Sequence, residues 1–460
     1  MKKGLIIFIA ICMIVCALPL AAMTVRPTTV STENRALSVF PSLQGKEGGL
    51  NLKFFEEFEK YFNEHFAFRN ELVYADAQIM SSIFKVSATK GVILGKNGWL
   101  YYTSTLDDYL GANIMSEREV YNVAHNLLIV KDYLDAKGIK LLVTFPPNKN
   151  TLYGSNMPYY DSYVVDPTHN IELIGPALDN IGVPYLDLLT VFQNESEVLY
   201  LERDSHWNMK GALLAYNSMM NEIGHKHNDY SEANVKRAID EVGDLNKMLY
   251  TLYGKKEANY KYDIPMNYRT NDGYKDVEDA WIETSCDEGG VGTLLMFRDS
   301  FGNTLIPFIA NQYRAAWFTK AVPYELEKLV NQHKPSEVII EKVERNVADF
   351  IKAPPTISAL TFDGTIGDSC KEADTDTEVS MATYMYDAMY YEIKGNVLGL
   401  EIANDANIIA EINGTLYRTY HIGNNGFVLH LRKEANLNEE ANIRIIVEDH
   451  SGYTVVYGGR

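Results

Sequence analysis

Between residues 116 and 353, short uninterrupted apolar runs alternate with helix-length amphipathic segments, and few architectures accept that rhythm. The runs are "IKLLVTF" (139–145), "VPYLDLL" (183–189), "VGTLLMF" (291–297), "AAWFT" (315–319) and "SEVIIEKV" (336–343). A strand apolar at every position has no face for water, so it belongs in a parallel sheet covered on both sides by helices. The covering helices are legible too. "EVYNVAHNLLIVKDYLDAKG" is amphipathic and stops at Gly138, and Asn208 is placed to cap a helix carrying Leu213, Leu214, Met219, Met220 and Ile223. Residues 230–285 break the rhythm and read as an insertion. An α/β domain over 116–353 is the expectation.

The flanks differ in texture. After Pro354-Pro355, residues 356–460 carry short strands separated by Gly/Asn turns and no helix-length pattern, so they read as a separate all-β, sandwich-like accessory domain. Its Tyr-rich faces, with Tyr384, Tyr386, Tyr390 and Tyr391, suit either core packing or contact with a carbohydrate. Residues 26–115 read as a polar tether, a helical arm with Phe54, Phe58, Tyr61 and Phe62 at helical spacing, and a hairpin turning at Asn97-Gly98. Residues 1–25 read as a signal anchor or a signal peptide. Lys2 and Lys3 precede an uncharged stretch from Gly4 to Val25, about the ~20 residues a membrane span needs. Lysines on the N-terminal side put the bulk of the chain outside, membrane-anchored, or secreted if the segment is cleaved.

Composition excludes several function classes. A net charge of −19 would repel nucleic acid, so that partner is not expected. Beyond the anchor only Cys286 and Cys370 remain, too few for a disulfide scaffold, and no clustered His/Cys pattern suggests a metal. Neither a metal nor a cofactor is expected.

Two motifs carry chemistry. In "RDSHWN" (203–208), Asp204 and His206 lie two apart, which on an extended chain places an acid and a base on one side. A carboxylate there can fix the imidazole tautomer, half of a Ser-His-Asp device. In "LLMFRDSFGN", Ser300 falls where a buried strand should turn into a helix, and open α/β sheets present reactive groups at the carboxyl ends of their strands. The plain alternative is that Asp299 or Ser300 only caps the helix. "KVERN" ends another strand and brings Arg345 and Asn346 to the same edge, as oxyanion or substrate contacts or as a salt-bridged surface cluster. "PPNK" puts Asn148 and Lys149 at a further strand end, where a loop with a solvated lysine is the simpler reading. Trp207 is placed to pack the base, with sugar stacking as the alternative.

The chain resembles the DHHW family and, more distantly, the SGNH-hydrolase-like proteins of alginate O-acetylation. The resemblance rests on "ENR" (33–35), "FEEFEKYFNEHFAFR" (55–69), "GKNGWLYY" (95–102), "PPNK" (146–149), "RDSHWNMKGA" (203–212), "GDLNKML" (243–249) and "RDSFGN" (298–303). It implies an SGNH-hydrolase-like fold with Asp204, His206 and Ser300 as a triad, the Asp-x-His preceding the Ser. Ser205 replaces the first His of the family's Asp-His-His-Trp, and Arg298 stands where a Gly usually precedes Asp-Ser, setting a bulky cation beside the nucleophile.

The expected function is extracytoplasmic O-acetylation of a surface or secreted polysaccharide through an acetyl-serine. The resemblance adds a membrane-bound O-acyltransferase as a partner that would deliver the acetyl group. The same residues with water as acceptor would make a carbohydrate acetyl esterase. A non-catalytic cell-wall binding or scaffold protein, with Arg298 as its best support, is the reading from another class.

Overall fold

The computed structural model describes residues 2–23, 25–28, 37–45, 48–287, 290–366, 370–435, 437 and 441–459. The "ENR" stretch (33–35) lies outside them. The hairpin forms as read: β1 (Val92–Leu94) pairs antiparallel with β2 (Leu100–Tyr102), and Asn97 and Gly98 take the left-handed backbone that the reversal requires. The arm is helical over Phe54–His65 and Arg69–Ile79.

The central sheet has seven strands. In chain order these are β3 (Lys140–Thr144), β4 (Tyr185–Leu186), β7 (Tyr268–Thr270), β8 (Trp281–Cys286), β9 (Thr293–Phe297), β10 (Ala315–Thr319) and β11 (Glu337–Glu341). Between β4 and β7 a separate two-stranded ribbon pairs β5 (Val235–Glu241) with β6 (Glu257–Tyr262). The order across the sheet is β4-β3-β11-β9-β10-β8-β7. The first five are mutually parallel, and β8 and β7 add on antiparallel. The segment read as an insertion therefore supplies one edge of the main sheet.

Alternation within the strands explains their unbroken apolar sequence. Leu141 and Val143, Leu295 and Phe297, Val338 and Ile340 face one core with helices Glu117–Asp135, Asn170–Asn180 and Leu326–His333. Leu142, Leu294, Met296 and Ile339 face the other, with helices Met209–Ile223 and Ile306–Gln312. Both faces are dry, as a covered parallel sheet demands.

The C-terminal region is β-rich. Its strands are β12 (Lys371–Glu372), β13 (Glu378–Met385), β14 (Tyr390–Leu398), β15 (Asn407–Ile412), β16 (Thr415–Arg418), β17 (Tyr420–Ile422), β18 (Gly426–Arg432), β19 (Ile443–Asp449) and β20 (Gly452–Gly459). They form sheets β12-β20-β19-β15-β16 and β13-β14-β18-β17, which share a core around Ile393, Phe427, Ile408 and Ile445. Of the tyrosines, Tyr390 is buried, whereas Tyr384 and Tyr386 are exposed.

This region is joined to the α/β body by more than the chain. Tyr420 and Val428 belong to the same apolar cluster as Leu127, Val130 and Phe350. The polar face of helix Glu117–Asp135 docks on it. Arg118 donates to the carbonyls of Asn424 and Ala406, and Asn122 to that of Gly423. Fully buried Asn126 donates to the carbonyls of Phe350 and His421 and accepts the His421 N–H. His125 and His421 stack with centroids 4.0 Å apart and planes within 3°. Sequence periodicity saw the apolar stripe of this helix. Its opposite face, which reads as solvent-exposed, is also buried.

At the N-terminus Lys2–Ala22 forms a single helix of 21 residues whose described apolar side chains, Leu5 to Ile9 among them, are exposed. Among the described residues no helix is long and apolar enough to cross a membrane, so the anchor stays with the proposal below.

Candidate active site

The carboxyl ends of β9 and β11 and the loop before helix Met209–Ile223 meet at one sheet edge. The Asp-x-His loop is built as a narrow return: Leu201 N–H donates to the His206 carbonyl at 3.2 Å, and Asn208 N–H to the Leu199 carbonyl at 2.7 Å. The Asn208 side chain then accepts the N–H groups of Lys210 and Gly211, capping the helix as read. Within the loop, Asp204 Oδ1 accepts both the backbone N–H of His206, at 2.9 Å, and its ring Nδ1–H, at 2.7 Å. The acid and base thus share a side because the carboxylate closes a local turn on the residue two ahead, rather than through an extended chain.

His206 Nε2 lies 2.7 Å from Ser300 Oγ. Ser300 sits at the first bend after β9, with φ −71° and ψ −21°. Asp299 fixes this bend: its carboxylate accepts Phe301 N–H and Val343 N–H, each at 2.8 Å, so it ties the serine turn to the end of β11. Beneath it, Glu341 accepts Asp299 N–H at 3.1 Å. Burial, reinforced by the Asp299 charge, pushes the Glu341 carboxyl well up and favours its neutral form. Gly302 is required here, since a Cβ would stand 2.8 Å from Arg298 carbons.

Electrostatics suit a base. Burial pushes the Asp204 carboxyl up, but the hydrogen bond and charge of His206 and the N–H donors of Asp244 and His206 outweigh it, leaving Asp204 at about 2. Burial pulls His206 down, while Asp204 and then Asp244 raise it, and the net direction is upward. The imidazole keeps 23% side-chain exposure.

The other residues singled out from the sequence divide. Trp207 is buried, donates Nε1–H to Thr304 Oγ1 at 2.6 Å and stands edge-on to Phe301, whose ring lies 4.9 Å from that of His206. It packs the base, and its burial rules out sugar stacking. Arg345 is half-buried, with its guanidinium over the rings of Tyr102 and Phe301, and its charge is felt by His206. It is therefore beside the site, and half-buried Asn346 follows it in the same turn. Asn148 is fully buried, donates to Asp108 at 2.8 Å, accepts Arg345 at 3.4 Å and gives its N–H to Glu344. It is enclosed by protein partners and faces no substrate.

Lys149 is neither solvated nor a substrate contact. It is 4% exposed, and its ammonium donates to the carbonyls of Leu201 at 3.1 Å, Glu202 at 3.0 Å and Asp204 at 2.5 Å. Burial pulls it down to about 8, against the attraction of Asp204, Glu257 and Asp244. Three carbonyls converging on one ammonium hold the Asp-x-His loop in shape. Arg298 is buried and fully engaged by protein partners, donating to the carbonyls of Val277, Asp279 and Asp299 and to Asn303.

Sequence reasoning missed Asp244. It lies in "GDLNKML", noticed only as part of the resemblance, and reaches the site because Gly243 is pressed against Arg203, where a Cβ would stand 2.3 Å from the carbonyl oxygen. Among the described residues Asp204, His206 and Asp244 have potential metal-ligand atoms within 4.8 Å of one another. Their lone pairs already accept hydrogen bonds from Ser205, Leu245, His206 and the Asp244 N–H, which leaves little for a cation.

Residues 92–280 match the family model for the SGNH hydrolase-like domain of the acetyltransferase AlgX. The resemblance read from the motifs holds over that stretch, which contains Asp204, His206 and Asp244 and ends before Ser300. Among solved structures, PatB1 of Bacillus cereus is 18% identical with a TM-score of 0.45, covering 55% of this chain and 96% of its own. A DHHW family protein from Eubacterium siraeum is 13% identical with a TM-score of 0.44, over 57% and 95%. AlgX of Pseudomonas aeruginosa is 12% identical with a TM-score of 0.38, over 75% and 89%. No curated protein matches the chain.

Proposed function

We propose that the protein is an extracytoplasmic O-acetyltransferase of a surface or secreted polysaccharide, working through an acetyl-serine on Ser300. The observation that carries this reading is the unbroken hydrogen-bonded series Ser300 Oγ, His206 Nε2, His206 Nδ1, Asp204 Oδ1, with both links at 2.7 Å. Ser300 Oγ attacks the acetyl carbonyl as His206 Nε2 takes its proton. The proton then passes to the departing oxygen or sulfur of the donor, and the acetyl group stays on Ser300. In the second half a sugar hydroxyl gives its proton to His206 Nε2 and attacks the acetyl carbonyl, the bond to Ser300 Oγ breaks, and His206 returns the proton to the serine. Asp204 keeps Nδ1–H pointed at itself and stabilises the imidazolium. Arg345 and Asn346, at the neighbouring strand end, are the side chains assigned to the oxyanion or the glycan.

The match to an acetyltransferase family model supports transfer over plain hydrolysis. The scaffold reading rested on Arg298, which is occupied with the 277–279 loop. In this proposal helix Lys2–Ala22 anchors the protein with Lys2 and Lys3 on the cytoplasmic side, and a membrane-bound O-acyltransferase supplies the acetyl group.

The test is acetate release from a chromogenic acetyl ester by residues 30–460, with and without an oligosaccharide acceptor. Acetylated oligosaccharide should form at the expense of free acetate. Ser300→Ala and His206→Ala should each lose essentially all turnover, about equally, because the members act as a unit. Full activity of Ser300→Ala on every donor would remove the assignment.

A further inference from the structure

We infer that Asp244 is a positioning residue for this site, a second carboxylate that acts with Ser205 on the Nδ1 side of His206. The inference rests on the functional reading above and deepens it.

Six contacts support it. Asp244 Oδ2 lies 3.5 Å from His206 Nδ1, just beyond hydrogen-bond range. Ser205 Oγ bridges the gap, 3.3 Å from Nδ1 and donating to Asp244 Oδ2 at 2.5 Å. The backbone N–H of Asp244 donates to Asp204 Oδ2 at 2.7 Å, on the oxygen that His206 does not use. Asp244 Oδ1 accepts the N–H of Ser205 at 2.7 Å and of Leu245 at 2.6 Å. Both Asp244 oxygens accept hydrogen bonds, the pattern of an ionised carboxylate, while burial and then the Asp204 charge push its pKa up from the ordinary value.

One residue therefore orients the triad acid with its main chain and adds negative charge near the triad base with its side chain. The position at which Ser205 departs from the family's name is the one that makes the bridge. The charges felt by His206 are Asp204 and Asp244 on one side, with Arg345 opposing them and Glu278 across the serine turn. Lys149 faces Asp204 and Asp244 from behind the loop. Removing the Asp244 charge leaves Arg345 less opposed, so the imidazole should give up its proton at lower pH. An added carboxylate at this range moves a neighbouring pKa by about one unit or more.

The experiment is a titration of His206 by NMR in the resting protein, together with the pH profile of kcat/KM on a chromogenic acetyl ester. Asp244→Asn should move the His206 midpoint and the acid limb of kcat/KM down by about one pH unit, and Asp244→Glu should bring both back toward wild type. A residue that only braces the loop would lower the rate without moving either midpoint. An unmoved His206 titration in folded Asp244→Asn overturns the inference. If Asp244→Asn fails to fold, Asp244→Ser, which keeps a hydroxyl at the helix start, carries the same test. The NMR arm needs no turnover: an inactive wild type with a shifted midpoint would count against the acetyltransferase reading and leave the role of Asp244 standing.

Discussion

Replacing Lys149 with methionine removes a buried ammonium that holds the Asp-x-His loop from behind. The ammonium of Lys149 lies over the rings of Trp99 and Tyr101, 5.6 Å and 5.1 Å from their centres, and Met is close enough to Lys in volume to fill most of the same space. What is lost is the donor to the Leu201 and Asp204 carbonyls and one of two donors to the Glu202 carbonyl, which keeps the Leu100 N–H at 2.9 Å. A buried carbonyl without a donor costs about 1–3 kcal/mol. Part of this is returned because an ammonium no longer has to be buried, a burden visible in its fall to about 8. A net loss of about 3–4 kcal/mol is expected, or about 6–8 °C in melting temperature at ~2 °C per kcal/mol. The Asp204 carbonyl is one of the three, so the carboxylate that fixes the His206 tautomer also loses its tether. A misplacement of about 1 Å in a reacting group lowers turnover by about 10²-fold. The assay pairs thermal unfolding with acetyl ester hydrolysis. An unchanged melting temperature with undiminished turnover would refute the claim that Lys149 braces the loop.

Two further outcomes follow from the junction between the α/β body and the C-terminal sheets. Burial pulls His125 down to about 3 and His421 well below the ordinary histidine value. The unfolded chain takes up these protons near pH 6.5 and the folded one resists them. Their contribution is present above pH 6.5 and is lost as pH falls toward 3, at about 1.4 kcal/mol per group per pH unit. Melting temperature should fall between pH 7 and pH 5, and glutamine at both positions should flatten that slope; an unchanged slope would exclude the pair as its source. Deleting residues 356–460 should yield aggregate rather than a soluble enzyme, because it uncovers Asn122, Asn126 and His125 together with the apolar cluster of Leu127, Val130 and Phe350 that Tyr420 and Val428 join. A monodisperse, active truncation would show that this interface is dispensable.

How much of this was legible depends on the range of the interactions. The parallel core was readable because β3, β9 and β11 bury both faces, and burial of both faces leaves a continuous apolar run. That Asp204, His206 and Ser300 meet at one sheet edge was readable from two local patterns, an Asp-x-His spacing and a strand end followed by a bend, although the spacing works through a side-chain-closed turn and not through the extended chain it was read on. Lys149 was misread since a lysine in a Pro-Pro loop looks solvated, and only the three-dimensional path of residues 201–204 shows the carbonyls that receive it. Asp244 carried no signal of its own chemistry, being one acid at the start of a short helix, and its place at Nδ1 depends on the close approach of Gly243 to Arg203. The docked polar face of helix Glu117–Asp135 was hidden for a similar reason. Arg118, Asn122 and Asn126 satisfy carbonyls hundreds of residues away, and periodicity cannot distinguish such partners from water.

The central claim is that Ser300 carries the acetyl group. Its most direct measurement is peptide mapping by mass spectrometry of the protein quenched in acid during turnover of an activated acetyl ester. An acetyl adduct is expected on the peptide containing Ser300. That adduct should be absent in Ser300→Ala and should be chased away when an oligosaccharide acceptor is added. Turnover with no adduct on Ser300 under any quench, or an adduct that persists in Ser300→Ala at the wild-type level, would contradict it.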